Sequence, residues 1–293
     1  MRHDLTTEGE LIKLARALGT TPEQVSFAAK LGYRDIRVLR ERVVGALYDE
    51  HRLTFQRVAT VTRMLPTALN VRIALRAFSP LLAARVAGEM PPDRAAELCN
   101  RMPVAYLAEG SIHLDPRRTG RLISRIDHDR VLAVIVELVD RGEFVTLGRL
   151  LDAATERIIA DVATLISDEA LLRIGFYAES DEQLTRAVTA VPADRLRSVV
   201  RCALAGPAEL RSAGLSMIGR LTDDRLRGQL AEYAAESDDE TLTRLLHTAI
   251  EDGAVEELLT AVAAMGEPAR RRVLELPALA DHVTLLHRVA ELR

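Results

Sequence analysis

Residues 79–130 read SPLLAARVAGEMPPDRAAELCNRMPVAYLAEGSIHLDPRRTGRLISRIDHDR, and helix starts recur in them behind proline or aspartate. The starts fall at Pro80, Pro92, Pro103, Pro116 and His128, spaced 11 to 13 residues apart. Proline suits the first turn of a helix, where its missing N–H has no partner to lose, and a preceding Ser or Asp can cap. The spacing predicts one helix of about ten residues per start and a helical hairpin roughly every 24 residues.

The same template, a Pro or Asp start followed by Arg and then aliphatics, recurs further along the chain. It appears at Pro192-Ala193-Asp194-Arg195 and Thr222-Asp223-Asp224-Arg225. Capping boxes are read at Ser180-Asp181-Glu182-Gln183 and Ser237-Asp238-Asp239-Glu240. Glu143-Phe144-Val145-Thr146-Leu147 is the one short segment with any strand character. No Gly-, Pro- or Ser-rich linker divides the chain. The expected fold is therefore all-α: a right-handed superhelical array (α-solenoid) of short helical hairpins, continuous over 51–293 and clearest at 79–205.

Residues 1–50 read as a three-helix N-terminal cap. Thr7-Glu8-Gly9-Glu10 is read as a capping box ahead of the stripe Leu11, Leu14, Ala15 and Leu18, and Thr21-Pro22-Glu23-Gln24 opens the second helix. The third carries Ile36, Leu39, Val43 and Leu47 on one face, with Arg34, Arg37 and Arg42 away from it. These helices are expected to cover the apolar face of the first hairpin. Their outline also fits a helix-turn-helix.

Helices opened by Leu114-Asp115-Pro116-Arg117 or Met90-Pro91-Pro92-Asp93-Arg94-Ala95-Ala96 resemble those of the N-terminal cytosolic domain of the MgtE magnesium transporters, over about residues 79–205. The resemblance implies a superhelix of short helices in the style of HEAT and armadillo arrays. It does not imply transport, because the sequence has neither the apolar spans nor the nucleotide-sensing modules that follow in that family. No position here matches a magnesium-ligand motif.

Composition is that of a folded chain: 48% apolar and 28% charged over 293 residues. No apolar run reaches the ~18 residues needed to cross a bilayer. Cys99 and Cys202 stand far apart, which fits buried thiols in a reducing cytoplasm, the expected location. The net charge of −4 conceals a polarity, since residues 1–150 sum to +5 (23 basic, 18 acidic) and 151–293 to −9 (16 basic, 25 acidic). Between His51 and Gly88 there are six arginines and no acid. A basic partner-binding surface is expected at Arg34, Arg37, Arg52, Arg57, Arg63, Arg72, Arg76 and Arg85.

For chemistry, His113 and Asp115 with His128 are the metal or catalytic candidates, as a base with its orienter or as three ligands. On the array they lie one helix apart, at opposite ends of a hairpin. His282 and His287 are five apart, a spacing that does not align them on one helical face. Asp238, Asp239 and Glu240 are better explained as a cap than as a cation site. There is no CxxC, phosphate-cradling glycine loop, GxSxG or HExxH motif.

The leading expectation is a non-enzymatic cytoplasmic scaffold or adaptor without cofactors, holding a protein partner on its basic half. A DNA-binding regulator with a helix-turn-helix-like N-terminus is the alternative. A helical domain binding a divalent cation or an apolar ligand in its lumen is a further one, and homo-oligomerisation is left open.

Overall fold

Proline and aspartate start helices where the sequence places them. The computed structural model describes residues 5–280. Among these it shows twenty α-helices, two 3-10 segments and no strand. The first are α1 (Leu5–Leu18), a 3-10 segment (Pro22–Lys30), α2 (Tyr33–Asp49), α3 (Arg52–Met64) and α4 (Thr67–Ala77). Next come α5 (Pro80–Gly88), α6 (Pro92–Cys99), α7 (Val104–Ile112), α8 (Pro116–Ile123) and α9 (His128–Asp140). Then come α10 (Phe144–Leu150), α11 (Glu156–Leu165), α12 (Asp168–Phe176), α13 (Asp181–Ala190) and α14 (Ala193–Ala205). The chain continues through α15 (Ala208–Arg220), α16 (Asp224–Ala235), α17 (Asp239–Glu251), α18 (Val255–Ala263), α19 (Glu267–Leu274) and α20 (Pro277–Ala280). None of the described helices is long and apolar enough to cross a membrane.

Local chemistry departs from the expected details at three places. α1 is already running at Leu5, so Thr7 does not cap it. Asp238 rather than Ser237 caps α17, accepting from the Thr241 N–H at 2.7 Å. The segment with strand character, Glu143–Leu147, enters α10, because Val145 and Leu147 join a helix-packed core there.

Helices pack chiefly on the next but one: α3 on α5, α5 on α7, α7 on α9, and likewise α4 on α6 and α6 on α8. Further along, α12 packs on both α14 and α15, and α15 on α18. The core is accordingly a string of apolar clusters. One centres on Ala59 and Leu122, the next on Leu138 and Ile174, a third on Leu184 and Leu226, and a fourth on Leu246 and Leu276. Each draws on helices near in sequence, as expected of a stacked array.

Arginines near helix starts stitch the stack together. A helix leaves up to four C-terminal carbonyls without an intrahelical partner, and a guanidinium can satisfy them. Arg94 of α6 donates to the Leu65 carbonyl that ends α3, at 2.8 Å. Arg130 of α9 reaches Cys99 O at 2.9 Å and Met102 O, behind α6. Arg195 of α14 reaches Ala163 O at 2.9 Å and Ile166 O, behind α11. Arg227 closes on Ile218 O and Leu221 O, and Arg270 on Ala263 O and Met265 O, tying neighbouring helices in the same way.

The three-helix unit packs on α3 through α2 and on α15 through α1. Glu10 is buried and bonds Lys13 at 2.9 Å, Arg37 at 3.2 Å and Arg40 at 3.3 Å. Arg40 also pairs with Glu179, between α12 and α13, and Arg149 of α10 lies 3.7 Å from the same carboxylate. At its other end α2 presents Tyr48, whose hydroxyl donates to Glu89 at 2.9 Å while the Arg118 guanidinium sits 4.0 Å above its ring. Burial alone would raise the Glu10 pKa, but Lys13, Arg40 and Arg37 together hold it below the ordinary carboxylate range.

Three outcomes follow from these contacts. Arg195→Met keeps the aliphatic stem but orphans two carbonyls, and lowers stability in urea denaturation by about 2–3 kcal/mol. Arg195→Lys recovers less than half of that, for want of the planar fork. Glu179→Gln removes one of the two carboxylates that pair with buried Arg40, leaving Glu10, and costs about 1–3 kcal/mol. Because the Glu10 pKa is depressed on folding, its contribution is fully present above the ordinary glutamate value and is lost as pH falls through the folded value. An acid-titration midpoint that stays put in Glu10→Gln would contradict this.

Candidate functional site

The helix faces turned inward carry little besides aliphatic carbon, because the apolar stripe of each short helix points to its stacking neighbours and to the axis between them. Between α3 and α17 these faces line a half-open apolar channel of about 640 Å³. Val61, Ile73, Ile135, Val200 and Leu245 are among the residues that line it.

The few hydrogen-bonding side chains in the wall are satisfied within the protein. Thr62 donates to Ala59 O at 2.7 Å, and the Asn70 amide to Thr62 O at 2.7 Å. The Tyr106 hydroxyl is held 3.2 Å from Phe78 O, and Ser111 donates to Leu107 O at 2.8 Å. Arg211 is bound by Thr248 Oγ1 at 2.9 Å and Gly206 O at 2.6 Å. Arg57 is the exception: it lines the channel, is exposed, and has no ion-pair or hydrogen-bond partner among the described residues. One cation therefore stands at a mouth whose walls are otherwise self-satisfied.

The expected basic surface divides on the structure. Arg37 is held by Glu10 and Glu179, Arg52 pairs with Glu89 at 3.2 Å, and Arg85 sits 5.0 Å over the Tyr48 ring. Arg34 rests against Tyr33, exposed. Arg57, Arg63, Arg72 and Arg76 project from α3 and α4 into solvent. Exposed aliphatics share those two helices: Met64 at 83%, Leu53 at 71% and Val61 at 56%, with Leu69, Ile73 and Leu75 beside them.

The three metal or catalytic candidates acquire separate partners. His128 bonds Asp161 of α11 at 2.7 Å. Asp115 faces Arg118 at 3.4 Å. His113 ends α7, where burial first, then the nearby Arg85 and Arg16, push its ring below the ordinary histidine value against the pull of Glu109 and Glu143. Among the described residues no three His, Cys, Asp or Glu side chains are placed to hold a metal ion. His282 and His287 lie outside the described residues.

Sequence reasoning named a lumen lined by Leu and Val but not its walls, since an apolar stripe facing a channel reads the same as one facing a core. Arg57 was counted only as part of a surface. No family model, no curated protein and no solved structure matches the chain.

Cys99 belongs to the channel wall, and burial pushes its thiol up to about 11. With Cys202 replaced by alanine, iodoacetamide at neutral pH alkylates Cys99 roughly a hundredfold more slowly than a free cysteine, because the thiolate is scarce. Urea restores the ordinary rate. An ordinary rate in the folded protein would remove Cys99 from the wall.

Proposed function

We propose that this protein binds an elongated, lipid-like molecule with an acidic head, its tail in the channel between α3 and α17 and its head beside Arg57. The single observation that carries the reading is the wall, where polar groups are turned to internal partners and one unpaired guanidinium stands at the mouth. A volume of about 640 Å³ falls within the ~300–1,000 Å³ of small-molecule sites. Each methylene moved from water into such a channel contributes about 0.8 kcal/mol. Association itself costs at least about 4 kcal/mol, so the tail must be long before binding is tight. The role is non-enzymatic carriage or sensing of that molecule.

A second reading rests on a different observation, the exposed arginines and aliphatics of α3 and α4, which support a docking face. Helix-turn-helix readout of DNA draws less support. Arg37 and Arg40 of α2 are spent on Glu10 and Glu179, and the segment before α2 is a 3-10 helix.

The test is equilibrium binding of the fluorescent polyene fatty acid cis-parinaric acid, followed by displacement with saturated fatty acids of increasing length. Affinity is expected to rise about fourfold per methylene until the channel is filled. Val200→Trp, which places an indole in the lumen, lowers it at least about tenfold with helical content unchanged. The chain has no tryptophan of its own, so that residue also reports occupancy by its emission. Binding that does not saturate, or is indifferent to chain length, refutes the proposal.

A further inference from the structure

The channel opens where the surface is unlike that of a soluble solenoid end. On α3, Leu53, Arg57, Val61 and Met64 follow one another at helical spacing, forming a single exposed stripe. On α4, Leu69, Ile73 and Arg76 do the same, with Arg72 alongside. Met64 is 83% and Leu53 71% exposed, although each is large and apolar. Arg57, Val61 and Ile73 belong to both the outer face and the channel wall, so the face and the mouth are continuous.

The charge of this face is uncompensated. No acid occurs between His51 and Gly88. The next three acids along the chain are engaged: Glu89 by Tyr48, Gln56 and Arg52, Asp93 by Arg125, and Glu97 by Thr67 and Arg94. Arg63, Arg72 and Arg76 have no ion-pair partner among the described residues.

We infer that the α3–α4 face docks on an anionic lipid bilayer, with Leu53, Val61 and Met64 entering the headgroup boundary and Arg57, Arg63, Arg72 and Arg76 meeting lipid phosphates. Protruding aliphatics set among cations are the composition of interfacial helices, and basic residues are drawn to anionic leaflets. A protein interface of comparable affinity centres on aromatic anchors, and single-stranded nucleic acid needs stacking rings. The described part of this face has only Phe55 and Phe78, both half-buried against the core. The placement brings the mouth against the membrane, so that a tail passes from bilayer to channel without crossing water. The inference takes its cargo from the channel reading, but the surface stands without it.

The 293-residue chain is floated with phosphatidylcholine vesicles, with and without about 30% phosphatidylglycerol, from about 0.05 M to about 0.5 M salt. Binding is expected to the anionic vesicles alone and to fall with salt. The variant carrying Arg63→Glu, Arg72→Glu and Arg76→Glu loses it by roughly tenfold or more. Leu53→Ser with Met64→Ser weakens it at every salt concentration, and both variants still bind cis-parinaric acid in solution. Wild-type protein that ignores vesicles while binding the fatty acid overturns the docking surface and leaves the channel standing. Vesicle binding without fatty-acid binding supports the surface and removes the cargo. Vesicle binding unchanged in the charge-reversed variant overturns it, as does loss of a protein partner from that variant when the wild type does not float.

Discussion

Short helices end often, and each end leaves carbonyls that must find donors or face the cost of an unmade hydrogen bond. That constraint governs this array more than any single apolar contact. Arg94, Arg130 and Arg195 meet it by reaching from the start of one helix to the end of the helix three earlier. Each clip sets both the distance and the rotation between successive turns of the stack. A guanidinium suits the task because its fork engages two carbonyls at once and stays charged at any ordinary pH. With turn-to-turn geometry held at the edges, the helix faces between them need only be aliphatic and of roughly the right size.

The flanking unit is held by a different device. Lys13, Arg37, Arg40 and Arg149 converge on Glu10 and Glu179, in a region largely withdrawn from solvent. A network of this kind adds little net stability over an apolar replacement, because desolvation consumes most of the Coulombic gain. It does impose register. Sliding α1 by one turn would leave buried cations without their carboxylates, at several kcal/mol. The unit therefore stays beside α10, α12 and α13, and the outer faces of α3 and α4 stay exposed.

Function in this reading grows out of what those two devices leave over. Stitching at the helix ends and clamping on the flank leave the axis between the helices lined mostly by aliphatic side chains. The channel wall is accordingly a hydrocarbon surface, with Thr62, Asn70, Tyr106 and Ser111 spent on the backbone. At the uncovered end the same apolar stripe reaches solvent, and arginines surround it.

Most of the secondary structure was legible in the chain alone. Proline and aspartate act within one turn of their own position, so the starts at Pro80, Pro92, Pro116 and His128 could be read directly. The acid-free run from 51 to 88 is likewise a property of the sequence. Tertiary structure decided everything that depends on partners distant along the chain. Glu10 reads locally as a capping residue, yet its partners include Arg40, and Glu179 lies more than a hundred residues further on. Arg195 reads as the basic residue after a helix start, and only the stack shows the carbonyls at 163 and 166 that it serves. The channel lies furthest from sequence, because an aliphatic stripe has the same spacing whether it meets a neighbouring helix or an open lumen. Which of the two it meets is set by how the helices, distant along the chain as well as near, pack on one another.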